Sequence, residues 1–193
     1  GHEVKIINGD ESWTPKLEPS EVFGDDVLTI YTRQREKGSD FTIEISGIDK
    51  EAWELMKPRF IFLAKPKKTI TTTHANVLLD EEMKGRVFVK GIFVQHSPDL
   101  SAGYDFKNVD TDRDRRMVSS WDLRYYASKA WEEAMTHETT HLDAVVDMLQ
   151  SNAVDVQNMG EGTVDSATAA KVGAVFRSRH GEKSIPVTSM AQA

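Results

Sequence analysis

The 193-residue chain contains no cysteine. Disulfides, thiolate metal sites and a cysteine nucleophile are therefore excluded. Long apolar runs are also missing: the most hydrophobic stretch, Val87 to Val94, is far shorter than the ~20 residues a membrane-spanning helix needs. No signal-peptide pattern opens the chain, so a cytoplasmic location without a membrane partner is the expectation. No period of ~20–50 residues recurs, which argues against solenoids and propellers. No Walker loop, dinucleotide fingerprint, nucleophile elbow or EF-hand loop is present. Positive charge is in deficit too, with 24 Lys and Arg against 31 Asp and Glu and a formal net charge of −7. That balance favours solubility and gives no indication of a nucleic-acid partner or an anionic membrane surface.

The residues that are present describe a globular protein. The chain is 39% hydrophobic and 28% charged, with 12 Gly and 6 Pro, which is enough apolar material for one core or parts of two. Gly1-His2-Glu3-Val4-Lys5-Ile6-Ile7 enters a strand pattern at once, and Ser189-Met190-Ala191 reads as a helix start. A segment of a longer protein is the simplest expectation.

Val4 to Ile7 followed by Asn8-Gly9 predicts a strand entering a tight turn, because Asn-Gly tolerates positive φ. Asp26 to Thr32 and Phe41 to Ile45 are further strands, giving a meander of about three. Asp49 is placed to cap a short helix over Lys50 to Lys57, which Pro58 ends. The charged stretch Lys65-Pro66-Lys67-Lys68 reads as a linker, dividing the chain into 1–64 and 69–193. Strands are expected at Thr69 to Thr73, Asn76 to Leu79 and Arg86 to Val94, then a polar loop over Pro98 to Asp114. Helices follow at about Ser119 to Met135, His141 to Gln150 and Val164 to His180, the last closed by Gly181. The fold class is thus α/β (α+β), with a β-rich first half and helices at the C-terminal end. Trp13, Trp53, Trp121 and Trp131 are expected in packing roles, and Glu132-Glu133 on a solvated helix face.

Two constellations carry chemistry. In the first, Val109-Asp110-Thr111-Asp112-Arg113-Asp114-Arg115-Arg116 lies just before a helix start. Guanidinium groups there can reach a phosphate, since each offers a fork of donors that stays charged; alternating Asp and Arg can equally form local surface ion pairs of little worth. In the second, His137-Glu138-Thr139-Thr140-His141 is a formal HExxH match. On an unbroken helix His137 and His141 share a face and can bind Zn²⁺, with Glu138 as general base. Asp165, in Gly162-Thr163-Val164-Asp165, is the candidate third ligand, with Glu161 and His180 as alternatives. Thr140-His141-Leu142-Asp143 can instead start a new helix, which would make the match a coincidence at a helix junction.

The run Gly1-His2-Glu3-Val4, Asn8-Gly9-Asp10-Glu11-Ser12-Trp13 and Phe23-Gly24-Asp25-Asp26-Val27-Leu28 resembles the later strands of the ATP-binding domain in phage and bacterial proteins of the GHKL ATPase superfamily. Val87 to Val94 and Asp112 to Arg116 are similar to the second, transducer-like domain of such proteins. The resemblance implies that Arg113 senses the terminal phosphate of ATP/Mg²⁺, with Arg115, Arg116 and Lys90 as neighbouring phosphate-contacting candidates. The superfamily's Asp-x-Gly-x-Gly motif and glycine-rich lid are not found. By resemblance, then, the chain couples nucleotide state to partner domains without being catalytic alone; its partners are an N-terminal nucleotide-binding portion and, in one admissible assembly, a second copy. The alternative is a zinc metallopeptidase.

Overall fold

The computed structural model describes residues 2–36, 38–111, 118–137, 141–159 and 164–185. The chain is an α+β protein of two compact units, Gly1–Met56 and Lys57–Ala193.

In the first unit, β1 (Glu3–Asn8), β2 (Glu11–Ser20), β3 (Asp25–Gln34) and β4 (Phe41–Ser46) form an antiparallel sheet of order β3-β2-β1-β4. The expected tight turn is present: Asn8 faces Glu11 across a two-residue loop with Gly9 at φ 62°. The arrangement is a Greek key rather than a simple meander, because β4 returns to lie beside β1, with Ile43 opposite Ile6. Strand β2 is not among the sequence-predicted strands, since Pro15 and Pro19 lie within it. It forms because both prolines occupy positions whose missing N–H points away from β3. The β1–β2 ladder stops at Trp13, so Pro15 and Pro19 leave no bond unmade. Residues 14–31 therefore extend as a two-stranded arm. Helix α1 (Lys50–Met56) starts as expected, with the Ala52 amide donating to Asp49 Oδ1 at 2.8 Å.

The second unit begins before the predicted linker. The segment leading into α2 (Ile61–Ala64) belongs to it: the Ile61 amide donates to Gly91 O at 2.9 Å, and Ile61 and Ala64 pack on Leu78, Met83 and Phe88. Arg86 fastens this segment, donating to Pro58 O at 2.6 Å while its guanidinium lies over the rings of Phe88 and Phe93. Lys67 and Lys68 are pinned as well, both amides donating to Asp80 Oδ2.

The sheet of this unit contains β5 (Thr69–Thr71), β6 (Ala75–Leu78), β7 (Arg86–Val89), β8 (Ile92–His96) and β9 (Gly103–Phe106), in the order β5-β6-β9-β7-β8. The expected single strand over Arg86 to Val94 is instead a hairpin. Lys90 and Gly91 turn it, with φ of 51° and 84°, the paired positive values that a two-residue hairpin loop requires. The expected loop over Pro98 to Asp114 contains β9, the central and fully buried strand.

Helices α3 (Ser120–His137), α4 (Leu142–Gln150) and α5 (Ser166–His180) complete the unit. Val77, Val87, Tyr104 and Phe106 meet Ala127, Ala130, Trp131 and Val145 in the main core. Of the tryptophans, Trp131 is a core residue, whereas Trp121 is 63% exposed. Glu132 is buried rather than solvated and pairs with Lys129 at 2.7 Å. A polar knot runs through this core. Asp155, fully buried, accepts from the Tyr104 hydroxyl and, at 2.8 Å, from the Ser101 amide. Tyr104 in turn accepts from Trp131 Nε1 at 2.7 Å.

Candidate functional site

Among the described strands, β7 and β9 are the one parallel pair, with Val87, Phe88 and Val89 opposite Tyr104, Asp105 and Phe106. Their carboxyl ends therefore emerge at the same edge of the unit. Past β7 the chain enters the Lys90-Gly91 turn; past β9 it enters Lys107 and the segment carrying the arginines. The two exits are joined by the Lys90 amide donating to Phe106 O at 3.0 Å.

Asp105 holds this edge rigid. Its buried carboxylate accepts from the Gly91 amide at 2.8 Å and from Asn76 Nδ2 at 3.3 Å. Sequence reasoning missed this residue, although a glycine within an apolar strand pattern is a signal for a turn that needs support. Lys90, an expected phosphate-contacting residue, is exposed on the turn. Lys107 stands beside it along the same edge, its amide donating to His74 O at 3.0 Å and its ammonium to Thr72 O.

Arg113, Arg115 and Arg116 lie outside the described residues, but both flanks of their segment are described. Val109 and Val118 are buried in the main core, at 4% and 1% exposure. The Val118 amide donates to Gln95 Oε1 at 2.8 Å. Ser119 then opens α3: its hydroxyl accepts from the Asp122 amide at 3.1 Å and donates to Asp122 Oδ2 at 2.6 Å. Buried residues thus flank the arginine segment in sequence on both sides. Beside Val118 is an open cleft of about 550 Å³, with Gln95, His96, Asp99 and Arg124 on its walls and Leu100 and Leu123 among its apolar lining.

The chain matches no family model, no curated protein and no solved structure.

Of the HExxH match, the two histidines are described. His137 closes α3, and His141 is the residue before α4, with φ −97° and ψ −4°. Glu138, like Glu161, lies outside the described residues. Asp165 caps α5, one carboxylate oxygen accepting from the Thr168 amide at 2.9 Å and the other from its hydroxyl at 2.7 Å. The Thr168 hydroxyl, followed by its amide, holds the Asp165 carboxyl below the usual carboxylate range. His180 packs on Phe176 and lies 2.6 Å from Gln150 Nε2. Among the described residues no three His, Asp or Glu side chains are grouped to hold a metal, and no helix is long and apolar enough to cross a membrane.

Proposed function

We propose that this chain is a coupling segment of a GHKL-type ATP-binding protein. In this reading the first unit supplies later strands of the ATP-binding domain. The second is the transducer-like part that reads the terminal phosphate through Arg113, with Arg115, Arg116 and Lys90 beside it. Nucleotide and Mg²⁺ would be held mainly by residues outside the segment, so the segment alone does not hydrolyse ATP.

The observation that supports this reading is the mounting of the basic segment. The chain leaves β9 next to Lys90, and the described residues on either side of the basic segment, Val109 and Val118, are buried in the core. Ligands of α/β sheets gather outside the carboxyl ends of parallel strands. A guanidinium hung from a fixed frame can meet developing phosphate charge without a large reorganisation cost.

The test is steady-state ATP hydrolysis by the complete protein. Arg113→Ala is expected to lower turnover at least about tenfold, ~1.4 kcal/mol of barrier, with nucleotide binding and melting temperature little changed. Unchanged turnover in Arg113→Ala, Arg115→Ala and Arg116→Ala alike would remove the phosphate-sensing role.

A further inference from the structure

The sheet of the first unit has two edges, β3 and β4. An edge strand presents a row of unpaired amides and carbonyls, and proteins blunt such edges with proline, lysine, bulges or short length. Strand β4 is short, at six residues, and its Glu44 is engaged by Lys5. Strand β3 has none of these defences. It runs ten residues, Asp25–Gln34, without proline or lysine, and pairs with β2 in an unbroken register.

The direction of its free groups follows from one bond. The Arg35 amide donates to Asp10 O at 2.7 Å, so odd-numbered residues of β3 bond to β2. The backbone groups of Leu28, Ile30 and Thr32 then point outward, as do those of Asp26, whose amide already donates to Asp25 Oδ1 at 2.8 Å. The opposite edge of the same arm is treated differently, because Pro15 and Pro19 flank Leu17 among the residues that face outward there. One side of the arm is closed by proline and the other is open. Along the open side, the uncharged run Val27-Leu28-Thr29-Ile30-Tyr31-Thr32 has Asp25 and Asp26 at one end and Arg33 at the other. Leu28 and Ile30 are 62% and 57% exposed.

We infer that β3 pairs antiparallel with β3 of a second copy of this chain, about a two-fold axis at Thr29, to make one eight-stranded sheet. In that register Leu28 of each copy lies opposite Ile30 of the other, Val27 opposite Tyr31, and Asp25 opposite Arg33. Antiparallel pairing sets the acidic end of each strand against the basic end of its mate, whereas parallel pairing aligns like charges, which destabilises a strand pair. Strand β4 has no basic residue to offer its own Glu44. The pairing depends on the first unit alone and stands apart from the phosphate-coupling reading.

The test uses the full chain, whose lack of cysteine makes Thr29→Cys its one thiol. Opposed across the axis, the two Thr29 residues form a non-hydrogen-bonded pair with Cα atoms about 4.5 Å apart, inside the range of about 4.4–6.8 Å that a disulfide spans. Mild oxidation is expected to give a covalent dimer with Thr29→Cys and none with Thr42→Cys on β4. Sedimentation equilibrium is expected to show a wild-type dimer that Asp25→Arg or Arg33→Asp each weakens by about tenfold, and that the double variant restores. Circular dichroism checks that each variant is folded, and the charge-exchange set decides the matter should Thr29→Cys fail to fold. A wild-type chain that stays monomeric overturns the inference. So does a dimer indifferent to both single charge reversals.

Discussion

Replacing Asp155 with alanine tests the polar knot that joins sheet and helices in the second unit. Asp155 is fully buried; its carboxylate oxygens accept from the Tyr104 hydroxyl and the Ser101 amide, and its own carbonyl accepts from Ser128 Oγ at 2.9 Å. Alanine keeps the carbonyl bond and removes both carboxylate bonds, leaving the buried Tyr104 hydroxyl and the part-buried Ser101 amide without their acceptor and a small void. Hydrogen bonds to a charged group contribute about 1.5–3 kcal/mol each, and a buried donor left unmet costs about 1–3 kcal/mol. Because these are two views of the same loss, the expected destabilisation is about 3–5 kcal/mol, a fall in melting temperature of ~10 °C or more. Asp155→Asn retains the shape and one acceptor but sets its amide against a donor, so about 2–3 kcal/mol is expected. Urea titration followed by far-UV circular dichroism measures both, since α3, α4 and α5 all lie in this unit. A loss below about 1 kcal/mol for the alanine variant would refute the reasoning, because a buried hydroxyl such as that of Tyr104 cannot be abandoned so cheaply.

Two further expectations concern β9. A Cβ added at Gly103 would stand 2.3 Å from the Met83 carbonyl oxygen, so Gly103→Ala must displace backbone and is expected to cost about 2–4 kcal/mol in denaturant titration; a wild-type midpoint would show that the turn at Met83 yields freely. Burial, and then the neighbouring Asp155, push the Tyr104 hydroxyl well above its ordinary pKa. Folded Tyr104 therefore stays neutral where the unfolded chain ionises, and its contribution, intact below the unfolded value of about 10, is lost as pH rises from there towards the folded value. Wild-type stability should fall more steeply than that of Tyr104→Phe above pH ~10, and parallel curves would contradict this.

Local signals in the sequence were enough for the start of α1 and the close of α5, because caps act within a few residues: Asp49 accepts from the Ala52 amide, and Gly181 follows His180 with its amide on Arg177 O; that Asp165 caps the other end of α5 was not read from the sequence. Strands whose surroundings are set at long range were harder. Pro15 and Pro19 are compatible with β2 only because its pairing to β1 stops at Trp13, a fact about pairing that local composition does not contain. Strand β9, Gly-Tyr-Asp-Phe, is buried on both faces and shows no alternation; Asp105 suggests a loop until its partners Gly91 and Asn76 are known. The Lys65–Lys68 stretch has the composition of a linker, yet Asp80 binds its backbone from a distance in sequence. At the candidate site, Arg113, Arg115 and Arg116 lie outside the described residues. The burial of the flanking Val109 and Val118 depends on the core and was not legible.

The order β5-β6-β9-β7-β8 has a consequence for how the second unit is assembled during synthesis. Its two outer pairs, β5 with β6 and β7 with β8, are local in sequence and can close early, but the two are not hydrogen-bonded to each other in the finished sheet. Both wait for β9, which emerges last and bonds antiparallel to β6 on one side and parallel to β7 on the other. Until then each hairpin has an open edge where β9 will sit and an apolar face without its helices, the condition in which nascent chains aggregate. Four residues thus act as a keystone, and we expect a nascent chain halted before Gly103 to be captured by chaperones far more readily than one released after Phe106.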